Sequence, residues 1–175
     1  EIRCVPPSTL LFSGFVENYR RRSFKPTAKE TTVDLLAFVQ TRERVLLDGA
    51  MGTQLEKRGL QPGVQNNLTN PEAVLEIHRA YAGCGCHALL TNTLTANRVY
   101  METHDLDADV GELNRTGAEL ARRAGGDHQY VLGDISSTGQ LLEPYGTCTE
   151  SDFGTAFREQ AESLAEAGVD GFIVE

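Results

Sequence analysis

No apolar stretch in this 175-residue chain approaches the roughly 20 residues that a membrane-crossing helix requires, so the sequence offers no such helix. A disulfide framework is missing too. Cys4, Cys84, Cys86 and Cys148 follow no regular spacing, and a chain of this length can build a core without one. That cysteine usage predicts a reducing, cytoplasmic setting. Positive charge is also short: 16 Lys and Arg stand against 25 Asp and Glu, a net of −9. An acidic surface argues against nucleic acid or an anionic membrane as partner. Nor is there a phosphate-binding glycine loop, a nucleotide fingerprint or a serine nucleophile elbow.

The charge is uneven along the chain. Residues 1–33 hold six Lys and Arg against three acids, which leaves −12 on residues 34–175. The basic segment lacks helical periodicity and contains Pro26. It is expected to be a disordered tail or a miscalled start, with an Arg-rich organelle leader as the alternative. From Thr32 the pattern changes, and Val33, Leu35, Leu36, Phe38 and Val39 mark a short helix.

The stretch Val45-Leu46-Leu47-Asp48-Gly49-Ala50-Met51-Gly52 then reads as a buried strand that stops abruptly at an acid and two glycines. A short helix is predicted over 52–58 and a loop over 59–67. Asn70-Pro71-Glu72 starts the next helix, which continues through Val74, Ile77, His78 and Tyr81 until Gly83 and Gly85 end it. Ala88-Leu89-Leu90 is a second strand, Tyr130-Val131-Leu132 a third and Gly171-Phe172-Ile173-Val174 a fourth. Helices are predicted between them near 96–102, over 110–123 with Leu113, Gly117, Leu120 and Ala121 buried, and from Ser151. That last helix carries Phe153, Phe157, Ala161, Leu164 and Ala165 on one side, with Glu159, Glu162 and Glu166 on a solvated face. Strands separated by helices run parallel with right-handed crossovers. Two architectures fit this order: an open doubly wound sheet, or the first half of an eight-stranded (β/α)8 barrel.

In either case the strand ends share one edge, where Asp48, Thr91, Asn92, Asp134 and Glu175 gather with Gly49, Gly52, Thr93, Thr138 and Gly139. Carboxylates accept hydrogen bonds from an ammonium, while glycine amides and hydroxyls hold a carboxylate, so the set suits a zwitterion such as an amino acid. An acid at a strand end can equally cap the helix that follows. Cys84-Gly85-Cys86-His87 places donor atoms in a row, but across a helix end and a strand start. A closed zinc site takes four ligands, usually with a second cluster, so these residues read as small buried groups at a turn. His78 sits in a helical pattern and reads as packed or solvated, not as an acid or base.

Several motifs nevertheless resemble one family in order. Asp48-Gly49-Ala50-Met51-Gly52-Thr53-Gln54-Leu55 is followed by Asn67-Leu68-Thr69-Asn70-Pro71, Ile77-His78-Arg79-Ala80-Tyr81 and Thr91-Asn92-Thr93 with Ala96-Asn97-Arg98. Next come Leu113-Asn114, Gly133-Asp134-Ile135 with Thr138-Gly139, and Gly168-Val169-Asp170 with Val174-Glu175. Together they resemble the homocysteine S-methyltransferases, and within that family the homocysteine-binding module of cobalamin-dependent methionine synthase.

The resemblance implies a (β/α)8 TIM-type barrel of which about the first four strands are present, over residues 34–175. It implies homocysteine at the C-terminal face, held at its amino-acid end by Asp48, Gly49 and Glu175, with Gly52, Thr91 and Asn92 beside it. In the family, a zinc ion on three cysteines from strands six and eight makes the substrate thiol a thiolate. A corrinoid or another carrier then supplies the methyl group that yields methionine. Cys84, Cys86 and Cys148 do not match those cysteines, so no metal ligand and no catalytic residue is assigned here, and the chain alone is expected to be inactive. Leu94-Thr95 and Ser136-Ser137 depart from the family's usual Phe-Gly and Gly-Pro. Two other expectations stand beside this one: a non-catalytic amino-acid-binding or self-associating half-barrel, and an unrelated open α/β domain with helices on both faces.

Overall fold

The computed structural model describes residues 35–175, so the basic segment 1–33 lies outside the described residues. Helix α1 (Leu35–Thr41) opens it, followed by α2 (Met51–Glu56), α3 (Asn66–Thr69) and α4 (Pro71–Gly83). Then come β1 (Ala88–Leu90), α5 (Arg98–Thr103), α6 (Val110–Gly125), β2 (Tyr130–Ile135), α7 (Glu150–Glu166) and β3 (Gly171–Val174). The strands form one parallel sheet in the order β1-β2-β3, with Leu90 opposite Leu132 and Ile135 opposite Val174. No helix among the described residues is long and apolar enough to cross a membrane.

The helix boundaries follow local chemistry. Asn97, Asp109 and Thr149 cap α5, α6 and α7 with their side chains, and at α7 Asp152 bonds back to the Thr149 amide to complete a capping box. Asn70 precedes Pro71 as expected but makes no side-chain cap; its amide instead donates to Asn66 Oδ1. At the other end of α4, Gly85 turns the chain with a φ of 84°, a conformation that glycine adopts without penalty.

The first expected strand is corrected. Residues 45–48 contribute a single parallel bridge, Leu47 to Ala88, and no strand. The Leu46 amide donates to the Nδ1 of His87, a side chain, instead of to a neighbouring strand. Backbone bonds from His87 to Leu46 and from Asp48 to Ala88 still tie the segment beside β1. The predicted loop over 59–67 holds through residue 65, and its last two residues, the buried Asn66 and Asn67, open the single turn of α3.

Side chains alternate across the sheet with the period of two that strands impose. Leu89 and Val131 pack with Cys86 and Ala121 against α4 and α6, while Ile135 meets Ala118 and Leu164 of α6 and α7. Ala88, Tyr130 and Leu132 point to the other face, where Leu35 and Phe38 of α1 cover them beside Leu47, Leu90 and Ile173. The long helices α4, α6 and α7 thus form one layer on one face. Helix α6 buries Leu113, Gly117, Leu120 and Ala121 as its pattern predicts.

On α7 the pattern misleads twice. Ala165 is exposed, while Gln160 is fully buried and donates to the Thr93 carbonyl at 2.7 Å. Glu159 is not simply solvated either, since Arg98 of α5 grips it with two hydrogen bonds. At the start of the sheet, Asp170 Oδ2 accepts both Arg122 at 2.7 Å and the Val131 amide at 2.8 Å, which joins α6 to the entries of β2 and β3.

These placements separate two neighbouring positions on α7. Leu164→Ala empties a fully buried site and is expected to lower unfolding free energy by about 2–5 kcal/mol. Ala165→Ser is expected to change it by less than about 0.5 kcal/mol. Urea denaturation of the two variants measures the difference.

Candidate active site at the sheet edge

Asp48, Thr91, Asp134 and Glu175 lie at the C-terminal edge of the parallel sheet, where α/β folds place ligands. Asp48 follows the bridge at Leu47, and its Oδ2 accepts the Leu90 amide at 3.1 Å. The same oxygen lies 3.8 Å from Nδ1 of His78, a side chain with no exposure, whose two ring nitrogens have no hydrogen-bond partner. His78 therefore packs, as its pattern predicts, but it packs against a carboxylate.

The end of β1 is joined to β2 by hydroxyls. The Asp134 amide donates to Thr91 Oγ1 at 3.0 Å, and Thr93 Oγ1 donates to the Asp134 carbonyl at 2.8 Å. The two threonine hydroxyls also meet each other. Each hydroxyl has one proton, and that of Thr93 goes to the carbonyl, so Thr91 is the donor between them. Thr91 is therefore buried and engaged as both donor and acceptor in holding the strands together.

Asn92 is turned away from the edge. Its amide donates to the Gly63 carbonyl at 3.2 Å and to Asn67 Oδ1 at 3.0 Å, while Asn67 donates back to the Asn92 carbonyl at 2.8 Å and to Leu113 at 3.1 Å. Gly117 of α6 makes room for this lock. A Cβ there would stand 2.7 Å from both Asn67 Nδ2 and Thr93 Cγ2. Gly49 lies beneath Tyr81, whose ring atoms would meet a Cβ at 2.9 Å, and the Tyr81 hydroxyl donates to the Ala50 carbonyl at 3.2 Å. Gly52 lies inside α2, where a Cβ would reach Pro62 at an ordinary 3.5 Å. Glu175 has an exposed side chain, and its backbone is held by Ile135 and Ser136.

The resemblance assigns no substrate contact to Asn67, His78, Thr93 or Asp134, although Thr93 and Asp134 stand in the strand-end set. All four are buried polar side chains, and the available signal was a polar residue standing in an apolar run. Burial, helped by the charges of Glu175 and Asp48, lifts the Asp134 carboxyl to about 7. One of its oxygens, Oδ1, is buried without a partner.

The cysteines read differently. Burial pushes the Cys86 thiol up to about 12, so it remains protonated at neutral pH and serves as a small apolar group. Cys86 and Cys148 are free thiols, whereas Cys84 is disulfide-bonded, a departure from the expectation of a fully reduced set. Burial and the nearby Arg42 lower the His87 imidazole, which suits the lone pair it presents to Leu46. Among the described residues no group of three or more His, Cys, Asp and Glu side chains could hold a metal ion.

A parallel sheet with carboxylates gathered at its C-terminal edge and a helical layer behind defines an α/β fold of the kind that places ligands at that edge. The homocysteine S-methyltransferase family model matches residues 45–175, and the chain belongs to that family. It is 31% identical over 150 residues to the methionine synthase of Mycobacterium tuberculosis and 32% identical to that of Mycobacterium leprae. Each match covers 76% of this chain and 12% of the relative. Its structure is similar to the metallated form of the homocysteine methyltransferase MmuM from Escherichia coli, with a TM-score of 0.66 and 27% identity over 79% of this chain and 56% of that one. The oxidised form gives 0.64 and 26%. The chain thus spans about an eighth of the curated relatives that it matches.

Two measurements test this geometry. Asn67→Ala strips partners from buried groups of Asn92 and Leu113 and is expected to cost about 1–3 kcal/mol of stability. Asp134 is harder to ionise folded than unfolded, so its contribution to stability holds below about 3.8 and is lost as pH rises through about 7. Thermal unfolding between pH 4 and 8 should show this decline in the native protein and not in Asp134→Asn.

Proposed function

We propose that residues 34–175 are the N-terminal half of a homocysteine-binding (β/α)8 barrel, from a protein that transfers a methyl group to the homocysteine thiol to give methionine. The observation that carries this reading is the one-sided layering. The long helices α4, α6 and α7 cover one face of the sheet, and the acids stand at the edge where a barrel binds its ligand. A doubly wound sheet would carry such helices on both faces. The span of just over half of a solved homocysteine methyltransferase supports the same reading.

In this reading Asp48 and Glu175 take the substrate ammonium. Asp48 Oδ2 is held by the Leu90 amide, which leaves Oδ1 to face the ligand. Gly49 lets the substrate carboxylate approach the main chain, Gly52 keeps the following turn slim, and Thr91 and Asn92 hold the loops that frame the pocket. The described residues do not fit a zinc site, so zinc, which would supply thiolate formation, is assigned to ligands outside them, and no step of the reaction is derived through it. The methyl donor, a corrinoid carrier in the methionine synthase branch, is likewise assigned to partners or modules outside these residues. A cytoplasmic location belongs to the same reading. The free thiols of Cys86 and Cys148 support it, and the disulfide at Cys84 does not.

A second reading, a self-associating half-barrel without catalysis, is favoured by β3. Among the described residues it pairs only with β2, and Phe172 and Val174 on it are 46% and 77% exposed. An open strand edge beside apolar side chains invites pairing with another chain.

Calorimetric titration with L-homocysteine tests the main reading. The chain is expected to bind the amino acid, Asp48→Asn and Glu175→Gln to weaken binding by about tenfold or more, and the chain alone to hold no zinc and transfer no methyl group. Binding that ignores both substitutions would overturn the site, and stoichiometric zinc by elemental analysis would overturn the metal assignment. A defined dimer in sedimentation together with no homocysteine binding would favour the second reading.

A further inference from the structure

Asp134 stands among the acids at the strand ends but takes none of the contacts proposed above, yet it is the least exposed residue of the three. The residue is 7% exposed and its Oδ1 has no hydrogen-bond partner. Its place in β2 sets it on the same face as Tyr130 and Leu132, away from the long helices, because Gly133 between them faces Leu164 of α7. Thr91 and Thr93 bind its amide and its carbonyl, so its backbone is fixed at the join of β1 and β2.

A second buried group lies on the helix side of Asp48. His78 has no exposure and no hydrogen bond at either nitrogen, and it stands 3.8 Å from the Asp48 carboxylate. Buried polar atoms without partners are rare in folded proteins and ask for an explanation. The unpartnered Oδ1 of Asp134, on the open face of the sheet and near two other acids, marks a place completed by a ligand.

We propose that Asp134 is a ligand-contacting residue of this site, and that its carboxyl releases its proton when a ligand ammonium settles among Asp48, Asp134 and Glu175. The inference rests on the amino-acid-binding reading above and extends it by making the site selective for a cation. The ammonium keeps its own protons, the proton of Asp134 passes to solvent, and no covalent bond between heavy atoms changes.

The energetics follow from the neighbours. Burial is the chief reason that the carboxyl holds its proton to about 7, with Glu175 and Asp48 adding repulsion. From α4, Tyr81 and His78 face Asp48. Behind β2, α6 and α7 present the uncharged Ala118 and Leu164. Among the described residues no Lys or Arg acts on the Asp134 carboxyl. A ligand ammonium supplies a cation, and an opposite charge within about 4–6 Å favours the ionised carboxyl.

The test is calorimetry of L-homocysteine binding between pH 5.5 and 7, in buffers of different ionisation enthalpy, with N-acetyl-homocysteine as a probe lacking the cation. The native protein is expected to release close to one proton per ligand below pH 7, with Kd weakening about tenfold for each pH unit below that point. Asp134→Asn is expected to bind without proton release and with a Kd flat across the range, and N-acetyl-homocysteine to release no proton. Binding of homocysteine without proton release, or release that persists in Asp134→Asn, overturns the role of Asp134 and leaves the amino-acid site standing. Failure of homocysteine to bind the folded protein overturns the site reading and this inference with it. Should Asp134→Asn fail to fold, the carbon-13 shift of the Asp134 carboxyl in the native protein decides the matter: its midpoint is expected near 7 without ligand and at least one unit lower with homocysteine, and an unmoved midpoint overturns the proposal.

Discussion

The join between β1 and β2 is made at its functional end by two threonine hydroxyls, and the rest of the site depends on it. Where the backbone ladder stops at Leu90 and Leu132, Thr91 and Thr93 continue it by binding the amide and carbonyl of Asp134. Side-chain hydroxyls can do this because each offers a donor and acceptor sites at once. The consequence is geometric. A carboxyl that a short side chain would otherwise place loosely is fixed, buried and set near two other acids.

Around that join, buried asparagines hold the loops. Asn67 and Asn92 bind each other reciprocally, Asn97 caps α5, and Asn114 donates at 2.7 Å to the carbonyls of Ala96 and Val110. An amide is suited to this work because it carries donors and an acceptor without a charge to desolvate. Several motifs that mark the family therefore carry fasteners. They set where the chain turns, and the acids at the strand ends are left to meet a ligand.

The interior of the fold also explains why so little other chemistry is present. Cys86 stands within a cluster with Leu89, Ala121 and Val131, where an ionised thiol is unfavourable. The imidazole of His87 is used as an acceptor for Leu46, which ends the ladder of residues 45–48 before it becomes a strand. Among the described residues the acids at this edge include the buried Asp134, on which no Lys or Arg acts, an arrangement that fits a cationic ligand.

Much of this was legible in the sequence. The parallel order, β1 at residues 88–90, the buried face of α6 and the gathering of Asp48, Thr91, Asp134 and Glu175 at one edge follow from periodicity and turn residues, because those are local properties of the chain. Residues close in sequence do not reveal which polar groups are bound to which, since that depends on contacts between distant segments. Only the tertiary structure turned Asn92 towards Asn67, engaged Thr91 with Asp134, buried Gln160 in place of Ala165, and reduced residues 45–48 to one bridge. It alone left Asp134 Oδ1 and the His78 ring nitrogens buried without hydrogen-bond partners, because burial belongs to the packed whole and not to any stretch of chain.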